Sequence, residues 1–381
     1  MSTIPGTTIP PGSEKHHFLI LDGLRGVAAM VVVWFHVFEA YTTGHTDQII
    51  NHGYLAVDFF FMLSGFVIGY AYDKRMETLS TWEFLKRRLI RLQPMVAMGA
   101  VIGALIFYFQ DCAVWDVSQV TIISLLVAMI ANALLIPSPT GIEIRGLGEM
   151  YPLNGPSWSL FFEYIGNILY ALFIRKLGTG FLTTLVITAG VGLATFSFLG
   201  PNGDICSGFS MTGPECLCGG LRVLYSFSAG LLLFRLFKPS FQMKHSFLPC
   251  SVALIILLAI PRLGGEEAYW MNSVYETLCF AILFPLILFL GAADNTTSPC
   301  INNICRFLGN ISYPLYMVHY PFIYLYYAWV KNEQLPFSAS LPGALALFFG
   351  SILLAWGCLK IYDTPIRKYL AERFLLRKKH H

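Results

Sequence analysis

The chain has 381 residues, 56% of them hydrophobic and only 12% charged, with a mean hydropathy of +0.62 and a formal net charge of +3. Soluble globular proteins carry about 25% charged residues, so this composition excludes that class and marks a polytopic membrane protein. The charge is too small to point to nucleic acid, and the scattered cysteines show no paired CxxC spacing suited to zinc, so no metal site is expected.

Residues 1–17 are polar and Pro-rich and read as a disordered tail. They lack the basic start and small-residue cleavage site of a signal peptide, so the apolar segment after them is expected to be retained. In that segment, 18–40, the stretch LDGLRGVAAMVVVWFH sets Arg25 and His36 about 20° apart around a helix and roughly 16 Å apart along it. Asp22 and Glu39 fall within the same arc of about 100°. A lone membrane histidine is usually a packing residue. Four ionisable groups on one stripe are too costly to face lipid, at roughly 2.5–3.5 kcal/mol for a charge near mid-bilayer. The stripe is therefore expected to line a cavity.

The second apolar segment, 54–72, carries Asp58 near its start. FLKRRLIRLQP follows it, with Arg87, Arg88 and Arg91 close together before Pro94; such forks suit phosphate oxygens or anionic lipid headgroups. Two apolar pieces, 94–110 and 119–136, come next. In 157–174, NGPSWSLFFEYIGN repeats Ser159, Glu163 and Asn167 on one face. Segments 181–199 and 219–237 flank a loop, 200–218, that holds Cys206, Cys216 and Cys218. A disulfide is allowed there if the loop faces an oxidising compartment, whereas the other cysteines read as buried apolar residues. After 247–262 and 270–290, the segment 307–329 contains ISYPLYMVHYP, in which Ser312, Tyr316 and His319 recur at helical spacing. The last segment is 341–362. Interhelical hydrogen bonding accounts for many membrane Ser and Tyr residues, but explains Glu163 and His319 less well.

These eleven segments need about 20 apolar residues each to span a bilayer. Basic clusters lie at 74–91, 175–176, 235–244 and 367–379, while 200–218, 261–269 and 331–340 are poor in Lys and Arg or acidic. All four clusters share the cytoplasmic side only if 94–136 makes one net crossing. The expected fold is thus an all-α membrane bundle of ten crossings plus a re-entrant or interfacial piece, with both termini inside. No internal repeat or long linker divides it, so 18–370 reads as one membrane domain ahead of a basic cytoplasmic tail, 371–381.

Taken together, these stretches resemble the motifs of the membrane-bound acyltransferase family 3. LDGLRGVAAMVVVWFH is similar to that family's R-x10-H helix. GYLAVDFFFMLSGFVIG, FLKRRLIRLQP, PSWSLFFEY, ISYPLYMVHYP and YDTPIRKYL follow in the family's order. The family's usual Glu-x-Pro stands here as Asp363-Thr364-Pro365, and the members with an added soluble esterase-like domain are not the expected template. The resemblance implies an enzyme that moves an acyl group, acetyl by default, from cytoplasmic acyl-CoA. Acetyl-CoA would be a donor substrate rather than a tightly bound cofactor. The acceptor would be a hydroxyl of a surface polysaccharide or a related small molecule, and the setting a bacterial inner membrane. It further implies His36 as general base or transient acyl carrier, oriented by Asp58 or Glu163. Arg25, Arg87, Arg88 and Arg91 would hold the CoA phosphates, and Trp158, Ser159, Tyr316 and His319 would shape the acceptor side. The same buried groups would also serve a proton-coupled glycan or lipid exporter. Such transporters commonly show two related halves, and none are found in this sequence.

Overall fold

Helices α1 (Leu19–Phe38), α2 (Ala56–Tyr72) and α3 (Thr81–Ile106) open the computed structural model, which describes residues 18–44, 47–238, 243–264, 266–296 and 298–375. They are followed by α4 (Ile122–Ala133), α5 (Ser157–Leu172), α6 (Thr179–Leu199), α7 (Gly213–Leu236) and α8 (Phe247–Ala259). The chain finishes with α9 (Trp270–Leu278), α10 (Phe284–Ala292), α11 (Pro299–Val318), α12 (Tyr320–Asn332), α13 (Phe337–Cys358) and α14 (Thr364–Leu375). A π-helical turn joins α9 to α10 and another joins α13 to α14. No β-strand occurs among the described residues, and eight helices are long and apolar enough to cross a membrane. The all-α polytopic class holds. The tail expected over 1–17 lies outside the described residues, as does 376–381 of the basic tail; 371–375 is the last part of α14.

Contacts between turns define the two ends of the bundle. Arg235 pairs with Asp73 at 2.9 Å and donates to the Leu177 carbonyl, and Arg175 donates to the Met76 carbonyl, which gathers the arginine-rich turns at one end. At the other, His52 bonds the Ile260 carbonyl, Arg262 pairs with Asp204 at 2.8 Å, and Lys331 reaches the Thr42 carbonyl. We call these the basic and the distal ends. Between them α1, α2, α3, α5, α6, α7, α8, α9–α10, α11–α12 and α13–α14 alternate in direction. The short helix α4 does not traverse. It enters from the distal end and stops at Ala133, whose carbonyl accepts from Gln93 halfway along α3. The chain then returns distally, where Arg145 bonds Gln110. The re-entrant piece is therefore 119–136, the second of the two expected candidates.

Local chemistry explains the boundaries that matter for the interior. Ser80 and Glu83 form a reciprocal capping box that starts α3 beside the basic turn. The segment expected as one helix over 307–329 is instead two, broken at His319. Pro321 has no N–H to offer the Met317 carbonyl, and the Asn154 side chain supplies that donor at 2.9 Å. A side chain at Gly99 would meet the same carbonyl at 2.5 Å, so only glycine lets α3 pack there. Such a break is tolerated at membrane depth when protein groups satisfy the freed backbone.

One boundary and one pairing differ from expectation. Helix α7 begins at Gly213 rather than 219, with Pro214 in its first turn and the Glu215 carboxylate accepting Gly208 and Phe209 N–H groups. Cys216 and Cys218 consequently lie on a helix about 200° apart, one near the Ser210 carbonyl and the other near that of Ile205. All the cysteines are free, including Cys206, and the disulfide allowed for this loop does not form.

Candidate active site

The stripe on α1 faces protein along its length. Near the basic end Arg25 donates to Ser312 and to the Gly309 carbonyl, each at 2.8 Å, and lies 3.2 Å from Asp22. Toward the distal end His36 Nδ1 meets Glu39 Oε1 at 2.8 Å, with the imidazole and carboxylate side chains still 15% and 29% exposed. A carboxylate only accepts, so the neutral ring carries its proton on Nδ1 and presents the lone pair of Nε2. The pair is partly open, and its tautomer is fixed.

His319, at the break between α11 and α12, lies beside it with ring centroids 5.5 Å apart. Its Nδ1 donates to the Leu315 carbonyl at 3.0 Å, while its buried Nε2 has no protein partner among the described residues. From His319 a line of contacts runs inward. Tyr316 packs 6.0 Å from the His319 ring and shares a 2.8 Å hydrogen bond with Ser159 on α5. One turn on, Glu163 accepts from Ser64 at 3.0 Å and pairs with Arg88 at 2.6 Å. The structure thus joins His36, His319, Tyr316, Ser159 and Glu163 into one polar seam between α1, α5 and α11.

Several expected placements change. Neither Asp58 nor Glu163 orients His36, because each is taken by an arginine: Asp58 by Arg222 at 2.7 Å, Glu163 by Arg88. The orienting carboxylate is Glu39, only three residues along the same stripe. Arg87, Arg88 and Arg91 do not form one cluster either. Arg87 and Arg91, four apart, share an exposed face, whereas Arg88 turns inward and is 5% exposed. Trp158 does not offer an open ring, since the Arg222 guanidinium lies 5.0 Å from its centre. Asn167 bonds back to the Glu163 carbonyl within its own helix.

Sequence reasoning missed a second set of groups. Arg222 was visible as a single charge within the apolar run GGLRVLYSF, a costly feature that demands a partner. Arg145 and Glu149 sit in the long segment between α4 and α5, which hydropathy passes over. There the EIRGLGE stretch folds back on itself: Gly146 and Gly148 both adopt φ of +77°, and the Glu143 carboxylate accepts the Arg145 and Gly148 N–H groups. This turn drives Arg145 onto the Tyr324 ring, 3.7 Å from its centre. It also brings Glu149 to the hydroxyls of Tyr324 and Tyr320. Burial pushes the Glu149 carboxyl up to about 7, against the Tyr324 hydrogen bond and the Arg145 charge.

Ten alternating helical traverses among the described residues, around a polar seam with a histidine–carboxylate pair open at one point, define an integral membrane protein. The match to the family model described as an acyltransferase domain extends over residues 18–360, and the chain belongs to that family. It is 32% identical over 167 residues to Protein 2 in picA locus of Rhizobium radiobacter, covering 42% of this chain and 83% of that protein. It is 24% identical to O-acetyltransferase OatA of Staphylococcus aureus over 94% of this chain, and 23% identical to the putative O-acetyltransferase SACOL0978 of the same species over 91%. The chain spans 59% and 57% of the length of those two relatives. No solved structure matches it significantly.

Proposed function

We propose that the protein is an O-acetyltransferase that moves an acetyl group from acetyl-CoA, entering at the basic end, to a hydroxyl of a cell-surface glycan. In this reading the basic end faces the cytoplasm of a bacterial cell, with both termini inside. The observation that carries it is the His36–Glu39 pair, held in one tautomer and partly open at the distal half of the seam. His36 Nε2 takes the acceptor hydroxyl proton as that oxygen attacks the thioester carbonyl carbon. The C–S bond breaks, and the departing CoA sulfur recovers the proton from the imidazolium. Glu39 stabilises the imidazolium in between.

Arg25, tied to α11 by Ser312 and Gly309, stands on the donor route, and the exposed Arg87 and Arg91 supply phosphate contacts at its mouth. Arg88 serves instead as the charge partner of Glu163. The names of the Staphylococcus aureus relatives support the acetyl group and the hydroxyl acceptor. The test is CoA-thiol release from acetyl-CoA by the purified protein, with surface glycans compared by mass spectrometry with and without the gene. Loss of an acetyl mass increment on deletion is expected. A wild-type protein that releases no CoA with glycan acceptors ends the reading.

A further inference from the structure

Tyr320, the first residue of α12, stands between the His36 imidazole and the Glu149 carboxyl of the distal half. Its ring packs edge-to-face with His36, centroids 4.7 Å apart at 79°, and its hydroxyl donates to Glu149 Oε1 at 3.4 Å. Its ring also lies edge-on to Tyr324, 4.7 Å between centroids, and Tyr324 donates to the other oxygen of the same carboxylate. The fit is tight on the far side. A side chain at Gly155 would meet the Tyr320 ring at 2.6 Å and Glu149 at 3.3 Å, so the backbone of the α4–α5 segment closes directly over the contact. Around the His36 ring stand Glu39, Phe35, His319 and Tyr320.

We propose that Glu149 is a positioning residue for His36, acting through Tyr320. The carboxyl anchors the Tyr320 hydroxyl, the anchored ring presses on the imidazole, and Nε2 stays aimed along the seam. Glu39 fixes the plane of the imidazole from one side through Nδ1, while Tyr320 limits its swing from the other. The EIRGLGE turn, with its two left-handed glycines, then has a use beyond closing the distal end: it delivers a carboxyl to the hydroxyls of Tyr320 and Tyr324. This inference rests on His36 being the reacting base.

Three variants test it in the full-length protein: Glu149→Ala, which removes both carboxyl oxygens, Tyr320→Phe and their combination. Each should lower kcat by about tenfold, since displacement of a catalytic group by about 1 Å can cost roughly 10²-fold. Binding of acetyl-CoA should stay within twofold of wild type. The double variant should be no worse than either single one, because both break the same contact. An activity-independent reading accompanies this. Carbethoxylation of His36 by diethyl pyrocarbonate, followed by peptide mass mapping, should run several-fold faster in all three variants as the ring loosens. His52, buried and bonded to the Ile260 carbonyl and Asn272, serves as the internal standard and should not change. Unchanged His36 modification, or single-variant losses that multiply in the double variant, overturns the proposal even when the wild type is active. Absence of CoA release in the wild type would instead strike the acetyl-transfer reading and leave the His36 modification result to stand alone. Should Glu149→Ala fail to fold, Tyr320→Phe reads the same contact from its other side.

Discussion

Two of the carboxylate pairs in the bundle, His36–Glu39 and Arg222–Asp58, have related chemistry and opposite settings. His36 and Glu39 share one turn, keep part of their surface open, and show no hydrogen bond at Nε2 among the described residues. Arg222 and Asp58 come from different helices, are 1% and 0% exposed, and are bonded at every guanidinium nitrogen: the guanidinium also bonds the Tyr54 and Ser207 carbonyls. A buried pair with four of five guanidinium protons assigned holds α2 to α7 and has little capacity left for a substrate. An open pair with one unassigned nitrogen has that capacity. The difference between a bolt and a reaction centre here is spare hydrogen-bonding capacity, since each contains a carboxylate held by a nitrogen-bearing side chain.

Replacing one member of each pair should separate the two roles. His36→Ala should lower the rate of acetyl transfer by about 10²–10⁴-fold, the usual cost of losing a general base, with melting temperature and acetyl-CoA affinity near wild type. CoA release and calorimetric donor binding on the same detergent-purified sample check it. A His36→Ala protein that turns over at the wild-type rate removes the histidine from the chemistry. Asp58→Ala should act in the opposite way. It strands the Arg222 charge among buried groups, a change that costs about 3–5 kcal/mol, and should appear as loss of monodisperse protein in fluorescence-detected chromatography. Wild-type melting for Asp58→Ala would show that the pair is no bolt.

The arginines in the first half of α3 extend the same contrast to the basic end. Arg87 and Arg91 are exposed, so Arg87→Ala and Arg91→Ala should weaken acetyl-CoA binding by about 1.5–3 kcal/mol, the range for hydrogen bonds to charged groups. Stability should not move. Arg88→Ala should lower stability because it leaves Glu163 without its ion pair. Equal donor affinity in all three variants assigns the exposed pair to lipid headgroups instead.

How much of this was legible in the chain depended on whether a residue's partner was local. The α1 stripe followed from helical period alone, and with it the nearness of Glu39 to His36. That 94–136 makes a single net crossing followed from the charge pattern, because basic residues gather on one side, but which of its two pieces turns back did not. Partners across helices were not legible. Nothing in GYLAVDFFF says that Asp58 will meet Arg222, 164 residues later, and so it was free to be assigned to His36 instead. The break at His319 was half-visible in Pro314 and Pro321, but the donor that makes the break tolerable, Asn154, comes from another segment. The Arg145–Glu149 turn was the least visible of all. Its positions are dictated by left-handed glycines in a loop, and hydropathy gives such a loop no face.

Glu149 supplies the mildest and most specific test of whether a saturated distal network can be told from the open pair. The folded carboxyl is raised to about 7, chiefly by burial, from an ordinary value of 4.5. Between about pH 6 and pH 7 the unfolded chain has already released this proton, whereas the folded chain still holds much of it. The unfolded state therefore binds fewer protons, and stability falls as pH rises. The contribution is fully present below about pH 4.5 and is lost as pH climbs through 7. Across the single unit from pH 6 to pH 7 the expected loss is about 1 kcal/mol, readable as a lower melting temperature in detergent. Glu149→Gln cannot ionise and should flatten that part of the profile, and the difference between the two curves isolates this group from every other titrating residue. Superimposable slopes in the two proteins would mean that Glu149 is ionised in the fold, and that the Tyr320 and Tyr324 hydroxyls hold a carboxylate rather than a neutral acid.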